Sequence, residues 1–189
     1  MKTLADFVKE TELHSMSRDA YVQRYRDRPP LFVHLNGEIR DEPDGETVQF
    51  GTLVLDPRKN TSRRNPLQSP VYPIEKHPAR NSFGFFITVG RAMNNDIIVP
   101  CPIVSKFHGM ITRSAQGYAF ADYNSSNGSL LVDARGEQDC RPGMSMALTD
   151  RCYLVLASKV AGAELVFLED AASIFDYVVE VSGAYPTSK

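Results

Sequence analysis

The chain has 189 residues, of which 42% are hydrophobic, 23% charged and 10% aromatic, enough to bury a sizeable core without a metal or disulfide staple. A formal net charge of −2 excludes a protein that is basic throughout and coats nucleic acid. Charged residues interrupt every apolar stretch well short of the ~18 residues of a membrane span, and Asp6, Lys9 and Glu10 break the N-terminal run that a signal peptide would need.

Residues 1–30 read as a helical extension. Leu4, Phe7 and Val8 form a short apolar face, and Ser17 is placed to cap a second helix carrying Tyr21, Val22 and Tyr25. Arg28-Pro29-Pro30 ends that helix, because a residue before proline is pushed out of the α region. Residues 31–81 read as a β-strand extension, with runs at Leu31 to Leu35 and Val48 to Leu55 followed by a proline-rich, loop-like stretch from Pro57 to Arg80. That stretch carries Arg58, Lys59, Arg63, Arg64, Lys76 and Arg80 against the single acid Glu75. A segment of this length without regular structure is uncommon unless it is functional or mobile.

From residue 82 to residue 169 short β-branched and aromatic runs alternate with turn residues. They are Phe85 to Val89, Ile97 to Val99, Gly109 to Thr112, Tyr118 to Ala121, Leu130 to Val132, Tyr153 to Leu156 and Glu164 to Leu168. Many short strands with Gly, Pro and Asn punctuation predict an all-β sandwich or barrel. Residues 170–189 complete the chain: Asp170 caps a helix with Ala171, Ala172, Ile174, Phe175 and Val178 at helical spacing, and a frayed tail begins at Gly183. The three cysteines, Cys101, Cys140 and Cys152, form neither a disulfide framework nor the paired spacing of a zinc site, so a cytoplasmic protein is expected.

Three polar clusters interrupt the strands in order: Gly90-Arg91, Ser105-Lys106-Phe107-His108, and Asn124-Ser125-Ser126-Asn127-Gly128-Ser129. Each falls at a strand end, where loops held by a rigid sheet carry binding groups. A guanidinium, an ammonium, hydroxyls and carboxamides are donors that suit an acceptor-rich anion. A phosphate monoester, with about −1.5 to −2 charge and three acceptor oxygens at pH 7, is such an anion.

The ordered set Gly90-Arg91, Asn95-Asp96-Ile97, Ser105-x-x-His108 and Asp122-x-x-Ser125-Ser126-Asn127-Gly128-Ser129 resembles the signature of the forkhead-associated (FHA) domain, over roughly Ser82 to Leu168. The resemblance implies an eleven-stranded β-sandwich that binds phosphothreonine peptides through loops at one end and has no enzymatic activity or cofactor. It assigns Arg91 to the phosphate as a planar fork, Ser105 to a phosphate oxygen through its hydroxyl, and Lys106 to the same anion as a point charge or backbone donor. Ser126 stands where the family most often has threonine, and Asn127 would bond the ligand's backbone. His108 would tie the binding loops together, while Gly90 and Gly128 allow approaches that a Cβ would obstruct. The loop before Ser105, with Pro102, Ile103 and Val104, would sample residues after the phosphothreonine and favour an apolar side chain three positions on.

Two turns depart from the family pattern. Asp133-Ala134-Arg135-Gly136 replaces an Asn-Gly hairpin, and Leu148-Thr149-Asp150-Arg151-Cys152 lacks the glycine of a Leu-x-x-Gly-Asp turn. The expected partner is a phosphothreonine-containing protein, a Ser/Thr kinase or its substrate, with no membrane. Two other readings remain open: a phospho-independent interaction module on the same fold, and nucleic-acid contact through the basic 57–80 loop. Ser105, His108 and Asp122 match a catalytic triad in residue type, but no nucleophile-elbow pattern surrounds Ser105, and no catalytic or metal-ligating residue is expected.

Overall fold

β-Branched and aromatic runs become strands wherever they fall between turn residues, and in the computed structural model these strands form two sheets facing each other. Residues 1–36, 65–160 and 162–183 are described, so the expected strand at Val48 to Leu55, the first part of the basic loop and the tail beyond Gly183 lie outside the described residues. The strands are β1 (Leu31–Asn36), β2 (Val71–Pro73), β3 (Ile87–Gly90), β4 (Ile97–Ile98), β5 (Gly109–Ser114), β6 (Gly117–Asp122), β7 (Ser129–Asp133), β8 (Gly136–Asp139), β9 (Ser145–Leu148), β10 (Tyr153–Leu156) and β11 (Ala163–Leu168). One sheet has the order β2-β1-β11-β10-β7-β8 and the other β4-β3-β5-β6-β9. All pairs are antiparallel except β3 with β4. This is an FHA-like β-sandwich of eleven strands among the described residues.

Side-chain alternation assigns the two faces of the larger sheet. Phe32, Leu154, Leu165 and Phe167 point between the sheets, where they meet Val89, Ile111 and Phe120 of the smaller sheet. Leu31, Val33, Val166 and Leu168 point outward and are also buried, because the helices cover them. Strands β1 and β11 are therefore apolar on both faces, which is why they read as continuous hydrophobic runs. Leu31–Asn36 precedes the stretch that resembles an FHA domain, yet it lies at the heart of the larger sheet, paired with β11 and β2.

The helical layer joins the two ends of the chain. Helix α1 (Leu4–Glu10) starts on a capping box in which the Thr3 hydroxyl accepts from the Asp6 amide and the Asp6 carboxylate accepts from the Thr3 amide. Helix α2 (Arg18–Tyr25) is capped by Ser17, and α3 (Ala171–Ser182) by Asp170. Arg18 donates to both oxygens of Asp176, at 2.7 and 2.9 Å, and the Tyr21 and Phe175 rings lie 5.5 Å apart, so α2 and α3 pack together. The sheet residues beneath them, Leu31, Val33, Val71, Val166 and Leu168, all lie outside the three loops of interest. No helix among the described residues is long and apolar enough to cross a membrane.

Two local departures follow from packing. Strand β2 lies in the stretch that reads as a loop, because Val71 and Tyr72 can be buried against β1 while Pro73 occupies an edge that needs no amide. Arg151, standing where the family pattern has glycine, adopts φ +60°, and its guanidinium reaches Glu180 of α3 at 2.6 Å. The three cysteines are buried, and burial pushes the Cys140 thiol up to about 12 and the Cys152 thiol up to about 11. Both are inert as nucleophiles at neutral pH.

Candidate phosphopeptide-binding site

Strand register brings the three polar clusters to one end. Val89 pairs with Gly109, and Gly109 pairs with Asp122, so β3 finishes, β5 begins and β6 finishes at the same level. The β3–β4, β4–β5 and β6–β7 connections therefore leave the sheet side by side.

The first two connections are joined through Gly90. A Cβ built there would lie 2.4 Å from the Lys106 carbonyl oxygen and 2.9 Å from Asn95 Nδ2. No side chain fits, so the chain can pass against Lys106 only as glycine. The Arg91 amide then donates to the Ser105 carbonyl at 3.0 Å, and the Ala92 amide to the Lys106 carbonyl at 3.2 Å. Buried Asn95 completes the joint by donating to the carbonyls of Ala92 at 2.8 Å and Lys106 at 2.7 Å.

The second and third connections meet at Ser105. Its hydroxyl oxygen accepts from the Ser126 amide at 3.1 Å, which leaves the hydroxyl proton uncommitted. Asn127 Nδ2 donates to the Ile103 carbonyl at 2.9 Å. The structure thus brings Arg91, Ser105, Lys106, Ser126 and Asn127 to one rim, and among the described residues neither the Arg91 guanidinium nor the Lys106 ammonium has a hydrogen-bond or carboxylate partner. The surface before Ser105 is smaller than the sequence suggests. Val104 is buried in the core, leaving Pro102 and Ile103 half-exposed.

His108 is fully buried beneath this rim. Its Nδ1 accepts the Ser105 amide at 3.1 Å, and its Nε2 lies 3.0 Å from Ser129 Oγ. Ser129 gives its proton to Asp122 Oδ2 at 2.6 Å, so its oxygen accepts from Nε2–H, and the imidazole is the neutral Nε2–H tautomer. Burial holds His108 below the ordinary imidazole value, outweighing the Asp122 charge and the Gly128 backbone bond, which act the other way. Asp122 also accepts from the Ser125 amide at 2.8 Å and the Ser125 hydroxyl at 2.7 Å. The Ser105 hydroxyl has no nitrogen base here, because Nδ1 is taken by the backbone amide and Nε2 faces the opposite way. The residue types of a triad are present without its geometry.

Two more features shape the rim. The Lys159 amide donates to the Asn127 carbonyl at 3.0 Å, and the Lys159 stem lies 3.1 Å from where a Gly128 Cβ would stand. A further cation therefore borders Asn127. The second feature is the anchoring of the β3–β4 connection by Asp96. Its carboxylate accepts from the amides of Thr88 and His77, each at 2.8 Å, and from Lys76 Nζ and the Thr88 hydroxyl, each at 3.0 Å. Arg80 closes over this loop, donating to the carbonyls of Asn95 and Asp96 at 3.2 and 2.7 Å. Two cations of the basic stretch thus serve the scaffold of the site, while Arg58, Lys59, Arg63 and Arg64 lie outside the described residues.

Burial alone would raise the Asp96 carboxyl, but its bonds to the Thr88 and His77 amides, to Lys76 and to Asn81 outweigh that effect and hold it at about 2, below its ordinary 3.8. A depressed carboxyl stabilises the fold at pH values above the unfolded value, and that stability is lost as pH falls through the folded value. Asp96→Asn is therefore expected to lower stability at pH 7 by on the order of 2 kcal/mol. In urea unfolding, the gap between variant and wild type should close between about pH 4 and pH 2.

Comparison with known proteins bears on the same stretch. Residues 87–156, less than half of the chain, match the family model for the FHA domain. No curated protein sequence matches the chain. Among solved structures, an engineered FHA with a Myc-pTBD peptide is 14% identical, with 79% of this chain and 98% of that chain covered and a TM-score of 0.48. The FHA domain of an Arabidopsis thaliana hypothetical protein is 18% identical over 76% of this chain and 86% of that one, with a TM-score of 0.46. EmbR from Mycobacterium tuberculosis, solved with a low-affinity phosphopeptide, is 16% identical, with 86% of this chain but 28% of EmbR covered and a TM-score of 0.42. The matched stretch holds Arg91, Ser105, Lys106, His108, Ser126 and Asn127, so the resemblance to an FHA domain is borne out over residues 87–156.

Proposed function

We propose that this chain is a non-catalytic adaptor that binds phosphothreonine-containing segments of a Ser/Thr kinase or its substrate at the rim around Arg91. One observation carries the reading: three loops, locked by backbone and carboxamide bonds, hold a guanidinium, an ammonium and an uncommitted hydroxyl proton on one rim with no acid engaging either cation among the described residues. Cations left without counter-ions beside backbone-fixed donors are suited to a dianion, and a phosphate offers three acceptor oxygens at about −1.5 to −2 charge. The Arg91 fork and the Ser105 hydroxyl would take the phosphate, with Lys106 adding charge and Asn127 directing the peptide backbone through the oxygen it does not use internally. The absence of a base on Ser105 supports binding rather than turnover.

Titration calorimetry with phosphorylated and unphosphorylated forms of one threonine peptide, drawn from a phosphopeptide library, tests the proposal. Binding is expected for the phosphorylated form alone, with phosphothreonine preferred over phosphoserine by about ten-fold or more, the worth of one buried methyl. Equal affinity for both forms would establish a phospho-independent module in its place.

A further inference from the structure

Beside the phosphate rim lies a ladder of aromatic rings that the phosphate reading does not use. Phe83 and Phe107 are stacked, with ring centroids 5.2 Å apart at 22°, and Phe107 and Tyr123 follow at 4.9 Å and 48°. Phe83 is 45% exposed and Tyr123 58%, and Phe85 and Met93 in neighbouring loops are still more exposed. Contiguous apolar surface of this kind is costly to leave in water and marks a contact surface. In the chain Phe107 lies between rim residue Lys106 and buried His108, and the Tyr123 amide donates to the His108 carbonyl at 3.0 Å. Residue His108 thus ties the backbone beneath the ladder to the phosphate loops.

The occupant follows from continuity with the rim. Ile103, bonded to Asn127, lies two residues before Ser105, and Phe107 lies two residues after it. Phe107 directly follows Lys106 and Tyr123 lies three residues before Ser126, so the ladder borders the cradle. An extended peptide advances ~3.3 Å per residue, so about three residues cover the length of the ladder, at most about 10 Å from Phe83 to Tyr123. We infer that the ladder is a second subsite of the proposed phosphopeptide site, taking an aromatic or long apolar side chain within about four residues of the phosphothreonine. Flat rings stack on an incoming ring or methionine with little loss of rotamer freedom, because the ladder is already ordered.

The inference rests on the phosphothreonine reading, and its test separates the two. A positional scan of phosphothreonine peptides is run on wild type and on Phe83→Ser/Tyr123→Ser, whose substituted side chains are solvent-exposed and whose folding is checked by thermal melting. Wild type should favour an aromatic or long apolar residue over alanine at one position by about ten-fold in Kd. The variant should lose that preference and bind the alanine peptide as wild type does. Phosphothreonine binding without an aromatic preference, or a preference unchanged in the variant, overturns the ladder alone. A wild-type dimer in sedimentation that the variant abolishes would make a second copy of the chain the occupant and also overturn it. Failure of every phosphothreonine peptide to bind overturns both readings.

Discussion

Replacing Arg91 with alanine is expected to weaken phosphothreonine-peptide binding by at least about 25-fold while leaving thermal stability nearly unchanged. The two halves of this expectation come from different parts of the residue. The Arg91 backbone is held by the Ser105 carbonyl and its successor by the Lys106 carbonyl, so the loop keeps its shape when the side chain is cut. The guanidinium has no partner among the described residues, and trimming such a side chain changes stability by no more than about 0.5 kcal/mol. In the complex the same group faces a dianion. Removing one member of a desolvated, hydrogen-bonded charge pair costs about 2–5 kcal/mol, and each 1.4 kcal/mol is about ten-fold in Kd.

Arg91→Lys should fall between wild type and alanine, because it restores the charge but not the two parallel N–H donors. Binding to wild type should also strengthen as pH rises through about 6, where the phosphate becomes a dianion. Titration calorimetry on the three proteins at pH 5.5 and 7.5 reads all of these effects. A variant lacking the guanidinium that binds like wild type would place the phosphate elsewhere.

The rim was legible because its chemistry is local: donors of particular kinds stand at strand ends in a fixed order. The interior strands were legible because they are buried. Ile87 to Val89, Leu154 and the β11 run are β-branched or leucine-rich, since both sheet neighbours and a packed face select for apolar bulk. The strands that sequence patterning missed, β2, β8 and β9, are all sheet edges. Strand β8 reads Gly-Glu-Gln-Asp and is mostly exposed, and β2 contains Pro73, so neither carries an apolar alternation. Tertiary neighbours were equally invisible. Lys159 reaches Gly128 only because the β10–β11 turn folds over the β6–β7 loop, and the rings of Phe83, Phe107 and Tyr123 come from three separate connections. Nucleic-acid contact is one reading of the basic stretch, whereas Lys76 and Arg80 are committed to Asp96 and its loop.

The largest stability effect is expected at Asp122, whose carboxylate holds the β6–β7 loop from below. It accepts from the Ser125 amide, the Ser125 hydroxyl and the Ser129 hydroxyl, and Ser129 in turn accepts from His108. Asp122→Ala strands these donors in a buried site, where each lost partner costs about 1–3 kcal/mol and the breaking of a buried polar network about 3–5 kcal/mol in all. Urea unfolding should show that loss, and phosphopeptide affinity should fall with it, because the Ser126 amide that meets Ser105 is carried on the released loop. Ser129→Ala should cost less, since it keeps both Ser125 bonds. The network also gives the fold a pH dependence of known sign. His108 is held neutral below its ordinary 6.5, so the unfolded chain takes up a proton that the native state resists. Its contribution is present above about pH 6.5 and is lost as pH falls from there toward the folded value, a window that opens above the one in which Asp96 titrates. The wild-type urea midpoint should therefore decline between pH 7 and pH 5, and His108→Gln should be less stable at pH 7 with a flatter profile. A profile equally steep without the imidazole would show that the proton binds elsewhere.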